Sequence, residues 1–409
     1  MKIYLVGGAV RDQLLGIKVK DRDYVVVGAT PKQMLAQGFK PVGKDFPVFL
    51  HPKTHEEYAL ARTERKTAKG YHGFSFNTDI SVTLEDDLAR RDLSINAMAF
   101  DIDSQQIIDP YNGQNDLKNN WLRHVSDAFT EDPVRVLRIA RFTARYAHLG
   151  FKVHPDTNQL MQQMVRQGEV DALVPERVWQ ELSSALNEKT PSQFVKVLRA
   201  CHALKVLFPE FDKLFGVPQT KKWHPEIDTG IHCMMAMDKA AQLDNDTAFA
   251  VFNHDLGKGI TPADILPSHK GHEAAGVPLV KAVCERLKVP TQHKRLALTV
   301  CRWHLHSHTA YELRASTINK LFLNTAAYQQ QEQFYKFLQA CQADATGRLG
   351  KEFQDYPQAD FLKKCLDSAK NVDVQALMSK GFTGEMLGAE INQQRIKRIK
   401  RVKQSSTFL

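Results

Sequence analysis

Apolar and polar residues alternate in short runs at the start of the chain. One run ends at Gly7-Gly8, a helical stretch begins near Val10, and a second run, rich in valine, covers residues 20–27. Runs of β-branched residues bounded by glycine favour strands. The pattern therefore predicts a strand, a turn, a helix start and a second strand. Further strands are predicted at 47–51, 57–61 and 99–102, helices at 31–37 and 84–95, and a mobile polar loop between Arg62 and Thr83.

From Thr130 onward the apolar spacing changes to three or four residues, which is typical of amphipathic helices. We expect Thr130 to cap the first of these helices, because acidic residues follow it and Pro133 falls where a first turn tolerates proline. Prolines and glycines cluster in residues 209–225 and predict a linker. The whole pattern predicts an α+β protein, with a small mixed sheet in residues 1–129 and helices after it.

Composition narrows the class of protein. At 409 residues the chain is too long for one ordinary core, so two to four domains are expected. No apolar run could span a bilayer, and the chain enters a strand at once, so we expect no signal peptide. Six cysteines without C-x-x-C spacing favour reduced thiols and a cytoplasmic location. A formal net charge of +9 favours a polyanionic partner such as nucleic acid.

The first strand-turn-strand unit carries candidate chemistry. Asp21 and Asp23 lie two residues apart in the second predicted strand, so their side chains are expected to point to one face. Two converging carboxylates beside a phosphate-binding turn are typical of a magnesium site. Gly7 and Gly8 would let the backbone approach a phosphate, and Arg11 would add a cation. Nucleotidyl transfer requires this set of groups. Each motif alone is more often a plain turn or an exposed strand; together they are specific.

A second candidate feature is an arginine-rich helix. Arg135, Arg138, Arg141 and Arg145 share about a third of its circumference. A solvated basic face is the simpler interpretation, but Asp132 stands one turn before Arg135. A carboxylate accepts hydrogen bonds and a guanidinium donates them, so this pair can accept cytosine and adenine and reject guanine and uracil. Arg138 and Arg141 would then be free to hold triphosphate oxygens.

Residues 90–97 supply further polar groups between the two features. We expect Arg91 to contact ribose or phosphate. Asn96 is equally consistent with a ligand contact and with a hydrogen-bonded structural amide.

Four motifs occur in the order and spacing of class II tRNA nucleotidyltransferases, the CCA-adding enzymes of the polymerase-β-like superfamily, and the chain resembles that family. The motifs are residues 7–12, 21–23, 90–97 and 131–138. The combination is much more specific than any one of them. The resemblance implies a polymerase-β-like nucleotidyltransferase head (1–129) and an all-α neck and body (130–225) with a base-selecting helix. It also implies that tRNA is the partner, gripped at its acceptor arm.

The resemblance implies roles for single residues. Asp21 and Asp23 bind Mg²⁺ and are catalytic, and Asp132 with Arg135 selects the base. The incoming CTP or ATP is bound by this base-selecting pair and by Gly8, Arg11, Arg91, Arg138 and Arg141. In this chemistry the tRNA 3′-hydroxyl attacks the α-phosphate and pyrophosphate leaves. Glu57 is a candidate third metal carboxylate, and equally a solvent-facing strand residue.

The third feature is a histidine-rich stretch after residue 225. His254 and Asp255 are adjacent, and His232 precedes them on another predicted helix. Imidazole and carboxylate suit a transition metal that activates water against a phosphate. Such a pair alone is often just a hydrogen-bonded surface pair, but here it lies in His-Asp-Leu-Gly-Lys.

This stretch resembles the HD phosphohydrolase domain. The resemblance implies His232, His254 and Asp255 as ligands of a divalent transition metal, with nickel among the candidates, and makes His254 and Asp255 catalytic. His272 could complete the set, and Asp344 is the best candidate for the final aspartate of the family pattern. The histidines at 304, 306 and 308 are expected at an exposed helix end rather than in a metal site.

A nucleotidyltransferase followed by an HD domain (228–329) and a helical tail (330–409) is similar to the bacterial multifunctional CCA proteins. The similarity implies 2′,3′-cyclic phosphodiesterase, 2′-nucleotidase and phosphatase activities beside CCA addition, in a monomer or homodimer. Alternatives are a poly(A) polymerase or partial CC- or A-adding enzyme, an RNA-binding protein with an inactive site, and an HD scaffold without metal. The basic run 395–403 either contacts tRNA phosphates or is a solvated helix end.

Overall fold

The apolar runs near the start of the chain form strands. The computed structural model describes residues 1–42, 48–66 and 74–406. The strands in these residues are β1 (Lys2–Val6), β2 (Asp23–Val27), β3 (Lys40–Val42), β4 (Val48–Leu50), β5 (Glu57–Leu60), β6 (Thr63–Lys66), β7 (Phe74–Asn77), β8 (Ala99–Asp101), β9 (Gln106–Ile108), β10 (Trp121–Leu122) and β11 (Lys152–Val153). Seven of them form a mixed sheet in the order β3-β4-β5-β2-β1-β8-β9.

The sheet buries both faces because successive side chains of a strand point to opposite sides. Val25 of β2 packs with Val6 and Leu88 on one face. Its neighbour Val26 packs with Met34 on the other. The helices of this part are α1 (Gly8–Leu14), α2 (Pro31–Ala36), α3 (Leu84–Ala89), α4 (Gly113–Lys118), α5 (Val134–Tyr146), α6 (Pro155–Arg166), α7 (Pro175–Leu186), α8 (Ser192–Ala200) and α9 (Ala203–Leu207).

Four local predictions are wrong, and one of them is the helix 84–95, which ends at Ala89. β2 begins at Asp23, so Asp21 lies just before the strand rather than within it. Thr130 lies in a 3-10 turn instead of capping a helix, and α5 begins at Val134, whose N–H donates to Asp132 Oδ1. The expected polar loop contains an antiparallel pair, β6 with β7, and its residues 67–73 lie outside the described part.

Beyond Phe208 the described residues form helices joined by turns and loops. The helices are α10 (Pro209–Asp212), α11 (Thr229–Ala240), α12 (Asn245–Asn253), α13 (His272–Arg286), α14 (Thr291–His308), α15 (Ala315–Asn324), α16 (Gln331–Thr346), α17 (Pro357–Lys370), α18 (Val374–Ser379) and α19 (Gly384–Ser406). α12 packs against α11, α14 and α16, and α13 packs against α14. The basic run is part of α19, which packs on α15 and α17 and buries Ile399.

The chain divides into two units. One contains Met1–Ala185 with Gln193–Leu207, and the other contains Leu186–Ser192 with Phe208–Leu409. The finer division into four domains stays a prediction. Within the described ranges no helix is long and apolar enough to cross a membrane.

Candidate active sites

Strand pairing places the acidic residues of the first unit beside the glycine turn. Asp23 lies opposite Val6, the residue before the turn, and in parallel register with Glu57 of β5. Paired residues of neighbouring strands point to the same face, so Asp23 and Glu57 are neighbours there. Partial burial raises the pKa of Asp23, the Arg91 guanidinium lowers it, and the nearby Asp21 carboxylate raises it. The two aspartates are thus close enough to repel each other, which is what a shared cation would relieve.

The turn itself is lined by two guanidinium groups. Gly7 has a φ of 70°, in the left-handed region that favours glycine, and a Cβ there would lie 2.8 Å from Arg91 Nη1. A Cβ at Gly8 would lie 3.3 Å from Arg11 Nη2. The glycines therefore allow two cations to approach the backbone where β1 passes into α1. Such a turn suits a polyanion like a triphosphate.

Buried hydrogen bonds fix Arg11 in place. Its Nη1 donates to Asn96 Oδ1 (2.6 Å), its Nε donates to Asp12 Oδ1 (2.8 Å), and its guanidinium stacks on Tyr146. Asn96 in turn donates from Nδ2 to Asp92 Oδ1 (3.0 Å). Asn96 is therefore a hydrogen-bonded structural amide that orients Arg11, the second of the two interpretations of this residue.

Asp92 continues this network to the arginine helix α5. Its Oδ2 accepts from Arg138 Nε (2.8 Å). Burial raises the pKa of Asp92, but the Arg138 guanidinium and the Asn96 amide outweigh burial and hold it at about 2. The same contact raises the pKa of Arg138. Arg138 and Arg11 are thus joined through one buried aspartate and one amide.

The two residues of the predicted base-selecting pair, Asp132 and Arg135, each have other partners within the protein. Asp132 accepts two hydrogen bonds from Arg177, at 3.1 Å from Nη1 to Oδ1 and 2.9 Å from Nη2 to Oδ2. Arg135 is buried and donates instead to the backbone carbonyls of Ala128 and Arg90. Both residues of the predicted pair therefore have partners within the protein, and their joint selection of a base stays a prediction.

Helix α7 also contacts Arg141, a second residue of the predicted nucleotide site. Arg141 Nε donates to Glu181 Oε2 (2.7 Å), one turn after Arg177. Arg138 and Arg141 are each paired with a carboxylate through Nε, and their predicted contact with triphosphate oxygens stays a prediction. A guanidinium withdrawn from water needs such a partner. Sequence reasoning missed Arg177 and Glu181, although their spacing of four puts both on one face of α7.

The second unit gathers a separate set of buried ligand atoms. His232 comes from α11, His254 from the end of α12 and Asp344 from α16. His232 Nε2 lies 3.0 Å from Asp344 Oδ1, and His254 Nε2 lies 3.2 Å from Asp255 Oδ2. The ligand atoms of His232, His254 and Asp344 all lie within 4.8 Å of one another. The four residues that the sequence analysis singled out therefore lie in one cluster, namely His232, His254, Asp255 and Asp344.

The Nδ1 atoms of His232 and His254 lie near acceptors outside the cluster. His232 Nδ1 lies 3.1 Å from Glu226 Oε1, and His254 Nδ1 lies 2.7 Å from the carbonyl oxygen of Val251. A carbonyl only accepts, so His254 carries a hydrogen on Nδ1, and its Nε2 is the ring nitrogen that faces the cluster. In the described part of the chain, the Nε2 atoms of both rings and Oδ1 of Asp255 are buried without a hydrogen-bond partner. Buried unpartnered nitrogen and oxygen ligands that converge fit a divalent cation.

Two cations flank this cluster. Lys258 Nζ lies 2.6 Å from Asp255 Oδ2, and Arg348 Nη2 donates to Asp344 Oδ1 (3.1 Å). Burial raises the pKa of both aspartates, but the neighbouring histidines and these cations lower it more, so both stay ionised.

Two of the histidines assigned to an exposed helix end lie in the site. His304 is 2% exposed and its Nε2 lies 3.6 Å from Asp255 Oδ1, while His308 Nε2 lies 2.6 Å from Asp344 Oδ2. The prediction is wrong for both, because the packing of α13 and α16 on α14 covers this helix end. His272 also joins, with Nε2 3.2 Å from Asp255 Oδ1.

Comparisons with known families follow the same division. Residues 3–123 match the family described as Poly A polymerase head domain. Residues 150–215 match a probable RNA and SrmB-binding site of polymerase A, and residues 229–335 match the HD domain.

Solved structures with this fold include a CCA-adding enzyme with CTP, at 23% identity and a TM-score of 0.65 over 97% of this chain and 87% of that one. A Thermotoga maritima CCA-adding enzyme complexed with tRNA gives 21% and 0.64 over 99% and 90%. The predicted fold class, a polymerase-β-like head followed by helices and an HD domain, is confirmed.

Full-length relatives are much closer in sequence. The multifunctional CCA protein of Thioalkalivibrio sulfidiphilus is 56% identical over 98% of this chain and 99% of its own length. That of Hahella chejuensis is 55% identical over 99% of this chain and 96% of its own length. Since more than half of the residues are shared along nearly the whole chain, this protein belongs to the multifunctional CCA protein family.

Proposed function

We propose that the first unit adds and repairs the 3′-terminal CCA of tRNA without a template, using CTP and ATP. The observation that carries this proposal is the register of β1, β2 and β5, which sets Asp23 and Glu57 beside a glycine turn flanked by two arginines. The full-length relatives are multifunctional CCA proteins, which supports the reaction, and the CCA-adding enzyme complexes with CTP and with tRNA support nucleotide and tRNA as ligands.

The residues divide the reaction between them. Asp21 and Asp23 would hold Mg²⁺, with Glu57 as a third carboxylate, and the bound ion would supply charge neutralisation at the reacting phosphate. The glycine turn, Arg11 and Arg91 bind the triphosphate. The tRNA 3′-hydroxyl then loses its proton to water and its oxygen forms a bond to the α-phosphorus. The bond from the α-phosphorus to the oxygen that bridges to the β-phosphate breaks, and pyrophosphate leaves with that oxygen.

Base selection falls to Asp132 with Arg135, positioned by Arg177. Each carboxylate oxygen has two lone pairs, so Asp132 can accept from the amino group of cytosine or adenine while Arg177 holds it. Guanine and uracil present a carbonyl there, and two acceptors face to face repel. Arg138 and Arg141 approach the nucleotide from the same helix, oriented by Asp92 and Glu181.

The decisive experiment uses tRNA lacking its 3′ end, Mg²⁺, and each labelled nucleotide singly and together. We expect C, C and then A to be added, G and U to be refused, and Asp21→Ala to be inactive. The exposed Asp103→Ala serves as the matched control. Long A tails would identify a poly(A) polymerase instead, addition that stops short would identify a partial CC- or A-adding enzyme, and no addition would leave RNA binding.

We infer a second activity for the second unit, a metal-dependent phosphohydrolase acting as 2′,3′-cyclic phosphodiesterase, 2′-nucleotidase and phosphatase. The observation that favours it is the convergence of buried, unpartnered ligand atoms around His254 and Asp255. His232 and Asp344 complete the ligand set. A divalent transition metal such as Ni²⁺ held there would supply an activated water for attack on phosphorus. Lys258 and Arg348 keep the two aspartates ionised and leave the site cationic enough for a phosphate ester.

This second activity is tested with a phosphomonoester and a 2′,3′-cyclic nucleotide after removal and return of each divalent metal. We expect hydrolysis that depends on metal and is lost in His254→Ala, while the histidine control His293→Ala hydrolyses normally. CCA addition measured on the same His254→Ala sample reports whether the variant is folded. Hydrolysis that is absent with every metal would leave the HD domain as a scaffold.

The two activities together would explain why one chain carries both. A tRNA that ends in a phosphate offers no free 3′-hydroxyl, and hydrolysis would restore it. We therefore expect the wild-type protein to extend phosphate-blocked tRNA and His254→Ala to extend only unblocked tRNA. Equal extension of both substrates by His254→Ala would refute the coupling.

A further inference from the structure

We propose that the exposed indole of Trp223 stacks on the nucleobase of the nucleotide whose phosphate the second unit hydrolyses. The second unit then recognises a nucleotide or an RNA 3′ end by its base, and does not accept every phosphate ester alike. The inference rests on the proposed phosphohydrolase function for its reaction. Its evidence concerns residues 217–228 of the segment between α10 and α11, which lie beside the cluster around His254 and Asp255.

The residue after Trp223 packs against this cluster. The ring centroids of His224 and His232 lie 4.6 Å apart. Glu226 Oε1 lies 3.0 Å from Nδ1 of His224 and 3.1 Å from Nδ1 of His232. On the other side of its ring, His232 faces Asp344 through Nε2. Trp223 is therefore one residue away from a side chain that contacts the cluster.

A guanidinium also connects Trp223 to the cluster. Arg348 Nη2 donates to Asp344 Oδ1 (3.1 Å), and Arg348 Nη1 donates to the carbonyl oxygen of Trp223 (3.5 Å). The backbone N–H of Leu349 donates to Glu226 Oε2 (3.3 Å). Because one guanidinium reaches both places, a phosphate at the cluster and a base on the indole can belong to the same nucleotide.

The indole itself is open to solvent. Trp223 is 55% exposed, and so is Leu349 beside the same contact. Tryptophan is highly buried on average in folded proteins. An indole that is exposed beside a buried polar cluster is therefore a candidate contact for a ligand.

Cations lie around this indole. Lys222 Nζ is 4.7 Å from the centroid of the Trp223 ring, and Lys221 is exposed next to it in the chain. Burial lowers the pKa of Lys351, and so does the Arg348 guanidinium, which places the Lys351 ammonium near the same arginine. These charges favour an anionic ligand.

An exposed aromatic ring among cations is typical of surfaces that bind single-stranded nucleic acid. The ring stacks on a base, and the cations neutralise the neighbouring phosphates. Since every base has a π face, this contact selects nucleotides without selecting one base. The substrate class is therefore a nucleoside phosphate, either free or at the 3′ end of an RNA.

The first measurement compares two cyclic phosphodiesters that share the reacting group. Adenosine 2′,3′-cyclic phosphate carries a base, whereas glycerol 1,2-cyclic phosphate does not. Loss of a stacking ring weakens base binding roughly 10- to 100-fold. In Trp223→Ala, the ratio of kcat/KM for the adenosine ester to kcat/KM for the glycerol ester should fall by that factor. Trp223→Phe should retain most of the ratio, because a phenyl ring still stacks. The control Trp303→Phe, which changes a half-buried tryptophan of α14, should keep the ratio of wild type.

The second measurement does not depend on hydrolysis. Adenosine 2′-phosphate is titrated into the metal-free full-length protein while tryptophan fluorescence is recorded. Adenine that stacks on an indole quenches its emission, so part of the quenching should be lost in Trp223→Phe and kept in Trp303→Phe. Ribose 5-phosphate, which has no base, should cause none of the quenching that Trp223→Phe removes. CCA addition by each variant reports whether it is folded.

An unchanged ratio of kcat/KM in Trp223→Ala would overturn the proposal, and so would quenching that is equal in wild type and Trp223→Phe. If no metal supports hydrolysis of either ester, the phosphohydrolase function fails, and the quenching alone decides whether Trp223 binds a base. If both esters are hydrolysed and their ratio does not change, only the stacking proposal fails.

Discussion

The arginine network of the first unit and the histidine cluster of the second differ in how their polar groups are paired. In the first, Arg11, Arg138 and Arg141 are bonded to Asn96, Asp92 and Glu181, partners within the protein. In the second, Nε2 of His232, Nε2 of His254 and Oδ1 of Asp255 are buried and have no such partner in the described residues. A buried polar atom left unpaired costs about 1–3 kcal/mol. A transient nucleotide requires a network that is stable before it arrives, whereas unpaired buried ligands indicate a resident ion.

The strongest test of this contrast exchanges one residue in each unit. Asp23→Asn should reduce CCA addition about a thousand-fold or more, since a metal ion contributes several kcal/mol to a phosphoryl transition state. It should leave phosphate-ester hydrolysis unchanged. His254→Ala should do the reverse. Steady-state rates of both reactions on each variant, with Asp103→Asn and His293→Ala as controls, check the pair; loss of both reactions in either variant would contradict two independent sites.

Arg177→Ala removes the two hydrogen bonds that Arg177 donates to Asp132, the proposed base-selecting carboxylate. Hydrogen bonds to a charged group contribute about 1.5–3 kcal/mol, so discrimination of CTP against UTP should fall roughly 10- to 100-fold. Addition of C to a saturated tRNA should fall much less. Ratios of kcat/KM for the two nucleotides measure this effect. Arg177→Lys should restore it only in part, because an ammonium lacks the two-pronged geometry, and the exposed Arg166→Ala should not alter it.

Asp92→Asn tests whether the first network stabilises the fold without a metal. The pKa of the Asp92 carboxyl is lowered from 3.8 to about 2 on folding. The ionised side chain therefore stabilises the fold above about pH 4, and this stabilisation is lost as the pH falls toward 2. The free energy of unfolding at pH 7 should drop by about 2 kcal/mol in the variant, and the difference should shrink below pH 4.

Urea unfolding across this pH range, followed by a probe in the first unit, gives the measurement. A metal chelator should leave the difference between Asp92→Asn and wild type unchanged, and Asp103→Asn should match wild type. If the chelator changed the difference in unfolding free energy between Asp92→Asn and wild type, the first network would depend on metal and the contrast with the second unit would be lost.

The smallest effect is expected for Glu57→Gln. Glu57 lies beside Asp23 in the sheet and would be a third carboxylate for an ion that Asp21 and Asp23 already hold. We therefore expect about a ten-fold loss of CCA addition, or about 1.4 kcal/mol. The loss should be smaller at high Mg²⁺ concentration. The exposed Glu85→Gln is the matched control. Full activity at every Mg²⁺ concentration would assign Glu57 to the solvent-facing edge of the strand.

Sequence alone determined the features that depend on local spacing. The glycine turn, the two aspartates beside it and the adjacent His254-Asp255 pair are each set by a few consecutive residues, and strand and helix periods give the fold class. The family resemblance added the distant partners His232 and Asp344, which the structure brings to the same cluster.

Only the tertiary structure decided which distant groups meet. The pairing of Asp132 with Arg177 spans 45 residues of sequence, and helical periodicity gives no sign of it. The fate of His304 is the clearest case. Its position near the end of α14 is compatible with solvent, and it is the packing of α13 on that helix that buries it against Asp255. Local chemistry fixes what a residue can do, while burial and neighbours, which come from long-range packing, fix what it must be paired with.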